Sequence, residues 1–452
     1  MNVRAIVLAA GKGTRMKSAR PKVLHELCGR PMLWYTLRAL RDAGVVDIAV
    51  VGNAELKQCL NEFGVRGIVQ EPQLGTGHAV QVALRELPAW AGRVLIAYGD
   101  MPLVDDGIFS RILATFDARP GVALAMVTAR MPLPSNFGRV IRSGDNVRAI
   151  VEERDCDESQ KSIDEMNAGV YLYDESALRG AVEKLNSINA QSEYYLTDTV
   201  ASLANSGKCV IPVDAGDYRN VLGINDRVEL AQARKELNAR LCAAHMREGV
   251  TIVDPERTYL EPELLIGRDT VIYPNTSIGR LSQIGEGCVL GPGARLSNAK
   301  LAERVIVRES VITDSRVGAE SRIGPFAHLR NNATLAAEVK IGNFVEVKNS
   351  RLDRGVKANH LAYLGDATVG ENSNIGAGTI TCNYDGQQKN ETIIGRDVMI
   401  GSNTSLVAPL RIGDGALTGA SSVVTKDVAP GERVAGNPAR PLPEKGSVTA
   451  AD

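Results

Sequence analysis

The sequence predicts two architectures in one chain: a Rossmann-like α/β domain on a mostly parallel sheet, then a left-handed parallel β-helix. Three observations predict this. Short apolar strands alternate with amphipathic helical patterns up to about residue 223. From residue 266 the apolar positions recur every six residues. The chain has 452 residues, more than the ~100–200 of a typical domain.

In the first part, strands read at Arg4–Ala9, Asp47–Gly52, Gly67–Gln70 and Arg93–Tyr98, with helical patterns at Met32–Ala43 and His78–Leu87. Pro31 suits a helix start. Further strands read at Ala123–Thr128 and Ala168–Tyr173. Alternation of this kind implies βαβ units, and ligands of such sheets sit at the carboxyl ends of the strands. Asp226 to about Glu248 reads as one long helix, with Asp226 as N-cap and Glu229 three residues on, close to a capping box.

In the second part Ile266, Ile272, Ile278, Ile284, Leu290 and Leu296 fall in one register. After a slip of three, Val305, Val311, Val317, Ile323, Leu329, Leu335, Ile341 and Val347 are expected to continue it, and Ile394, Ile400, Leu406 and Ile412 carry it near the end. A helix repeats its apolar face every 3.6 residues and a half-buried strand every two. Six fits hexapeptide repeats, each forming one face of a triangular coil with its apolar residue inside. At residues 382–392, CNYDGQQKNET, the register breaks, and this stretch is expected to loop out. The tail from Pro441 has a disordered composition.

A net charge of −1 gives no reason to expect nucleic acid. Seven scattered cysteines without a C-x-x-C argue for a reducing cytosol, not a disulfide framework or zinc site. No apolar stretch reaches the ~20 residues of a membrane helix, so a cytoplasmic protein is expected.

The loop after the first strand, LAAGKGTRMKSARPK, carries two glycines and five cations with no acid. It lacks the Walker A spacing, and Met16 stands where a dinucleotide loop needs its third glycine. What remains is a glycine turn whose amides can approach a phosphate chain, with Lys12, Arg15 and Lys22 around it. Leu8-Ala9-Ala10-Gly11-Lys12-Gly13-Thr14-Arg15-Met16 with Pro21-Lys22 resembles the triphosphate loop of sugar nucleotidyltransferases. Gln70-x-x-x-Leu74-Gly75-Thr76-Gly77-His78-Ala79 and Tyr98-Gly99-Asp100-Met101-Pro102-Leu103 match in order and spacing. Joined to hexapeptides containing His360-x-x-Tyr363-Leu364-Gly365-Asp366 and Thr381-Cys382-Asn383-Tyr384-Asp385-Gly386, the chain resembles one family up to about residue 440. That family is the bacterial bifunctional N-acetylglucosamine-1-phosphate uridyltransferases and glucosamine-1-phosphate acetyltransferases, whose product feeds peptidoglycan and lipopolysaccharide synthesis.

The resemblance implies a uridyltransferase domain at 1–224, a helical linker at 225–248, an acetyltransferase β-helix at 249–440 and a flexible tail at 441–452. It implies UTP and acetyl-CoA as co-substrates, Mg²⁺, and a homotrimer. In the first site, Arg15 and Lys12 would offset the leaving pyrophosphate, and Lys22 would stand near the α-phosphate or the attacking phosphate. Asp100, at a strand's carboxyl end, would ligate Mg²⁺, with Asn225 carried over as second ligand. From the residues alone, Asp100 also reads as a turn residue and Asn225 as the start of a helix. Gln70 and the backbone at Gly75 and Thr76 would read the uracil; Leu8, Ala9, Ala10, Gly11, Tyr98 and Gly99 complete the nucleotide pocket. Gly138, Glu152 and Asn167 are carried over as sugar contacts, with Tyr195 and Thr197 beside them; without the family, Glu152 reads as an ordinary solvated carboxylate.

Acetyl transfer to an amine needs a base, because an ammonium is not nucleophilic, and histidine titrates in the useful range. His360 falls where the hexapeptide register lapses, and is the expected base, with Glu346 orienting it. Arg330 and Lys348 would hold the sugar phosphate. Tyr363, Asn374, Asn383 and Tyr384 are carried over as sugar contacts, and Ala377, Ser402 and Ala420 as acetyl-CoA contacts, with Asn383 and Tyr384 shared. Some members of the family place an arginine where this chain has Asn437, so Arg440 is expected to supply that charge.

Two rival classes stand beside this reading. In one, a nucleotidyltransferase uses its β-helix only to oligomerise or regulate; His360 and the Asn383-Tyr384 loop argue against that. In the other, a non-catalytic sensor binds a sugar nucleotide; Lys22, Asp100 and Asn225 together argue against it.

Overall fold

The computed structural model describes residues 2–442. The chain divides into two compact units, Met1–Arg234 and Lys235–Asp452. Among the described residues the first unit carries a nine-stranded mixed sheet. Seven of its strands form the main path: β1 (Val3–Leu8), β2 (Asp47–Gly52), β3 (Arg66–Val69), β4 (Arg93–Tyr98), β5 (Val122–Arg130), β6 (Glu165–Asp174) and β7 (Cys209–Asp214), in the order β7-β5-β6-β4-β1-β2-β3. A hairpin, Arg139–Ser143 and Asn146–Val151, attaches to β6.

All six residues of β1 are buried, as a central parallel strand covered on both faces requires. It pairs in parallel with β2 and β4. The sheet is less uniformly parallel than the alternation suggests, because β6 lies antiparallel between β4 and β5. The expected strand Ala168–Tyr173 is the later part of this ten-residue strand, whose pairing shifts between Asn167 and Tyr171. Helices α1 (Met32–Asp42) and α2 (Thr76–Glu86) bury one apolar face each, and Pro31 stands just before α1. At the carboxyl edge, the Ala9 amide donates to the Val51 carbonyl (2.8 Å) and the Gly99 amide to the Leu8 carbonyl (2.9 Å). These bonds fix where the two loops leave the sheet.

Helix α3 (Arg227–Arg247) spans the division between the units. The Asp226 carboxylate accepts from the Val228 and Glu229 amides, as an N-cap should. Glu229 reaches one residue further back than a capping box requires and accepts from the Asn225 amide (2.6 Å). Within the second unit, the Asn238 side chain donates to the Thr258 carbonyl (2.8 Å) and accepts from the Leu260 amide (3.0 Å).

The second unit is a parallel β-helix with the inward aliphatics stacked coil on coil. Ile266 pairs with Ile284, Ile272 with Leu290 and Ile278 with Leu296. The expected register through Val305 and Val311 is corrected here. Leu290 pairs with Val307, Leu296 with Ile312 and Leu301 with Val317, so those residues point inward. Val305 is buried two positions before Val307, as Cys288 is before Leu290, and half-buried Val311 flanks inward Ile312. The cause is local. Strands Arg295–Leu301 and Val311–Val317 turn their corners without a break through Asn298 and Asp314, both at φ 47°. Those tight corners shorten the coil, and the Asn298 amide donates to the Asp314 carboxylate across it (2.7 Å).

Asn374 pairs directly with Met399 and Ile375 with Ile400, so the ladder closes over the stretch in between. Residues 384–389 are exposed, with one bridge between Tyr384 and Lys389. Of the expected tail, Pro441 ends a strand, Ala439–Pro441, and residues 443–452 lie outside the described residues.

Candidate functional site

A cavity of about 520 Å³ opens over the loop that follows β1. Leu8, Ala9, Ala10, Gly11, Lys12 and Arg15 line one side. Gln70, Gly75, Thr76, Tyr98 and Asp100 line the other, and Lys22 and Asn225 close it. Gly13 (φ 59°) must be glycine, because a Cβ there would lie 2.8 Å from the Lys22 Cβ. Gly99 sits beneath, 3.3 Å from the Ala9 Cβ if given a side chain. Neither Lys12 nor Arg15 pairs with a carboxylate among the described residues, so both charges are available to a ligand.

Lys22 is different. Its ammonium donates to the Asp100 carboxylate and to the Asn225 side-chain oxygen (3.2 Å). Three parts of the chain are thereby joined, and the Ile224 amide donates to the Asp100 carbonyl (2.9 Å) to hold them together. The Gln70 amide nitrogen faces the Gly75 carbonyl (2.9 Å).

Gly138, Glu152 and Asn167 form a second patch. The Asn167 amide donates to the Gly138 carbonyl (2.8 Å), and a Cβ on Gly138 would meet the Glu152 carboxylate at 3.3 Å. The Thr197 hydroxyl donates to Glu152 (3.0 Å), while burial, only partly offset by that bond, pushes the Glu152 carboxyl up. Burial foremost, then the charges of Glu152 and Asp100, likewise raises the Tyr98 phenol. Beneath them Arg139, fully buried, donates to the Phe137 and Ser135 carbonyls and pairs with Glu153.

On the β-helix, His360 ends the strand Lys357–His360 and is exposed; among the described residues nothing bonds its ring. The expected orienting contact from Glu346 is not made. Glu346 instead pairs with Arg330 (2.6 Å), its neighbour in the adjacent coil. Arg330 and Lys348 lie in register on successive coils. Lys348 pairs with Asp366 (3.5 Å), which also accepts from Asn349 (2.5 Å) and Asn383. Tyr363 stands over Glu346 in the ladder, and its ring lies where a side chain at Gly365 would be.

Ala377, Ser402 and Ala420 form a column along the prism. The Asn403 amide donates to the Ala377 carbonyl (2.6 Å), the Ser421 amide to the Ser402 carbonyl (2.7 Å), and Gly401 packs on the Ala420 backbone. Asn374 pairs in register with Lys357 and Met399. The Tyr384 hydroxyl bonds within its own loop, to the Gly386 carbonyl (2.7 Å). Arg440 is exposed on the last strand, opposite Ala435 in the ladder, and its guanidinium donates to the Ala439 carbonyl (3.0 Å).

Sequence reasoning missed several residues. Gln73, Gln191 and Glu193 line the nucleotide cavity. His78 meets Gln70 (3.1 Å), and Glu229 holds the Asn225 backbone. Lys389, on the projecting loop, lies beside Lys348, and that neighbouring ammonium lowers its pKa. His78 belongs to a motif already singled out; for Glu229 the capping spacing was a signal.

A glycine loop that leaves Lys12 and Arg15 unpaired among the described residues over a mixed sheet, ahead of a hexapeptide prism, defines a nucleotidyltransferase extended by a β-helix of the acyltransferase kind. Residues 5–167 match the model of the MobA-like NTP transferase domain, and residues 256–350 that of the GMPPB C-terminal domain. Over 431 residues the chain is 47% identical to the bifunctional protein GlmU of Heliobacterium modesticaldum, covering 94% of each. It is 45% identical to those of Trichlorobacter lovleyi (94% of each chain) and Acinetobacter baylyi (95% of this chain, 94% of that one). The chain belongs to the GlmU family. It is a bifunctional enzyme, acetylating glucosamine-1-phosphate with acetyl-CoA and transferring UMP from UTP to N-acetylglucosamine-1-phosphate. Among the described residues no helix is long and apolar enough to cross a membrane.

Proposed function

We propose that uridyl transfer occurs in the cavity over Gly11, and acetyl transfer on the prism face around His360, within a uridyltransferase domain (1–224) and an acetyltransferase domain (249–440) linked by residues 225–248. In the first reaction a phosphate oxygen of the sugar attacks the α-phosphorus of UTP and pyrophosphate leaves. Such chemistry is mostly positioning and charge neutralisation. Lys12 and Arg15 offset the departing pyrophosphate, and Lys22 steadies the phosphate under attack. Gln70, Gly75 and Thr76 hold the uracil; Gly138, Glu152 and Asn167 hold the sugar. The convergence of Lys22, Asp100 and Asn225 carries this reading.

Asp100 and Asn225 suit Mg²⁺. Their hard oxygens already close on one cation, the Lys22 ammonium, and one or two protein oxygens are typical for this ion. The ion, when bound, supplies further neutralisation of the triphosphate. Among the described residues no cluster of three or more His, Cys, Asp or Glu offers a rival site.

In the second reaction His360 takes a proton from the ammonium of glucosamine-1-phosphate. The freed nitrogen attacks the thioester carbonyl, the C–S bond breaks, and coenzyme A leaves as its thiol after taking up a proton. Arg330 and Lys348 hold the sugar phosphate, already steadied by Glu346 and Asp366. Tyr363, Asn374, Asn383 and Tyr384 surround the sugar. The Ala377–Ser402–Ala420 column lines the coenzyme, with Arg440 supplying positive charge.

The enzyme acts as a homotrimer in the cytoplasm, where UTP and acetyl-CoA are found. A prism corner supports the assembly: Phe326, Phe344 and Leu361 are 51%, 59% and 63% exposed on successive coils, and the two rings stack at 5.2 Å. Such an apolar ladder calls for a covering partner. The separating experiment follows free thiol and pyrophosphate in one mixture. His360→Ala abolishes thiol release and spares pyrophosphate release from N-acetylglucosamine-1-phosphate; Lys22→Ala does the reverse, losing about 10²–10³-fold. Loss of both activities in either variant, with the protein folded, would refute the two-site assignment.

A further inference from the structure

Gln70 is 4% exposed, and its side chain spans from the end of β3 to the first turn of α2. Its nitrogen Nε2 lies 2.9 Å from the Gly75 carbonyl oxygen and 3.1 Å from His78 Nδ1. A carbonyl can only accept, so Gly75 decides which end of the amide faces α2. That carbonyl is itself held, since it also takes the Ala79 amide (3.2 Å) and Gly75 (φ 108°) lies so close to the Tyr194 backbone that a Cβ would stand 2.7 Å from the Tyr194 oxygen. The second amide hydrogen points to His78 Nδ1, which must therefore be the unprotonated ring nitrogen. Burial first, then the charge of Arg85, lowers the His78 pKa and favours the neutral ring that this bond requires.

Both hydrogens of the Gln70 amide are thus used within the protein. Only its oxygen remains for a ligand in the cavity it lines. Uracil offers an N3–H to such an oxygen. Cytosine offers a lone pair at the same position, and two acceptors face to face repel.

Resting on the nucleotide-pocket reading above, we infer that His78 is a positioning residue for base selection: with Gly75 it locks the Gln70 amide so that only a base with a ring N–H is accepted. His78 touches no reacting atom in this scheme. It acts through the amide, on the ratio between nucleotides and not on the chemical step.

The test compares kcat/KM for UTP, CTP and 5-methyl-UTP by pyrophosphate release from the full-length enzyme. In His78→Ala the preference for UTP over CTP narrows about five- to tenfold, the worth of one hydrogen bond. The ratio of 5-methyl-UTP to UTP stays fixed, because both carry the same imide edge. His78→Asn, whose side-chain oxygen can accept the same hydrogen, recovers most of the preference. An unchanged UTP:CTP ratio in His78→Ala would overturn the inference, and so would parallel shifts in both ratios, which mean a loosened pocket. Gln70→Ala separates the two levels. If it keeps the wild-type ratio, the pocket reading has failed; if it collapses the ratio while His78→Ala does not, only the role of His78 has. Where turnover is too low, calorimetric binding of UDP against CDP gives the same comparison.

Discussion

Replacing Gly169 by alanine probes the hinge between the nucleotide and sugar patches. Gly169 lies in the shifted part of β6 at φ 75°, with its amide bonded to the Asn167 side chain (3.1 Å). A left-handed residue other than glycine costs about 1–2 kcal/mol. The new Cβ would stand 2.6 and 2.7 Å from two carbons of the half-buried Tyr98 ring, which would have to shift within the cavity it lines. Overpacking of that kind costs roughly 1–3 kcal/mol more. The sum is about 2–5 kcal/mol. In a unit of this size each kcal/mol lowers the melting temperature by roughly 2–4 °C. Scanning calorimetry of Gly169→Ala should therefore show the transition of the first unit about 10 °C lower, and kinetics a raised KM for N-acetylglucosamine-1-phosphate with thiol release untouched. A fall under ~2 °C with an unchanged KM would refute the argument, since the ring would then not depend on the missing side chain.

Other outcomes follow from the second unit. Burial alone would raise the Asp366 carboxyl, but hydrogen bonds from Asn349 and Asn383, then the charge of Lys348, outweigh it and hold the group below its usual range. Its folded pKa lies below the unfolded one, so its contribution is full above the ordinary carboxylate pKa and fades as pH falls through the folded value. The melting gap between wild type and Asp366→Asn should be present at pH 7 and close below about pH 4; a gap independent of pH would contradict this. Lys389→Ala, which removes a cation beside the phosphate-holding Lys348, should raise the KM for glucosamine-1-phosphate several-fold, about 1 kcal/mol, with uridyl transfer unchanged. Phe344→Glu, in the exposed apolar corner, should shift sedimentation toward a single chain; an unaltered mass would mean the ladder serves no assembly.

The sequence made the main architecture legible where one physical demand repeats. A prism must bury an aliphatic residue on each face, so Ile266 to Leu296 stood out before any coordinates. It hid the shortened coils, because a five-residue step at Asn298 or Asp314 looks like ordinary polar sequence and Val305 is apolar for a different reason. The antiparallel placement of β6 was hidden too, since pairing direction leaves no mark on a strand buried on both faces. The triphosphate loop was readable from glycine and charge. What could not be read were side-chain pairings set by packing: Glu346 taken by Arg330, Asp366 shared among three donors, and His78 turned toward Gln70. Each depends on which coil or turn lies alongside.

The direct pairing of Asn374 with Met399 has a practical side. The scaffold bypasses the projecting loop as a wall continues behind a bracket, so that appendage is a natural place for grafting. Exchanging residues 384–389 for a foreign segment should alter which acceptor is used and leave the thermal endurance of the stack nearly intact.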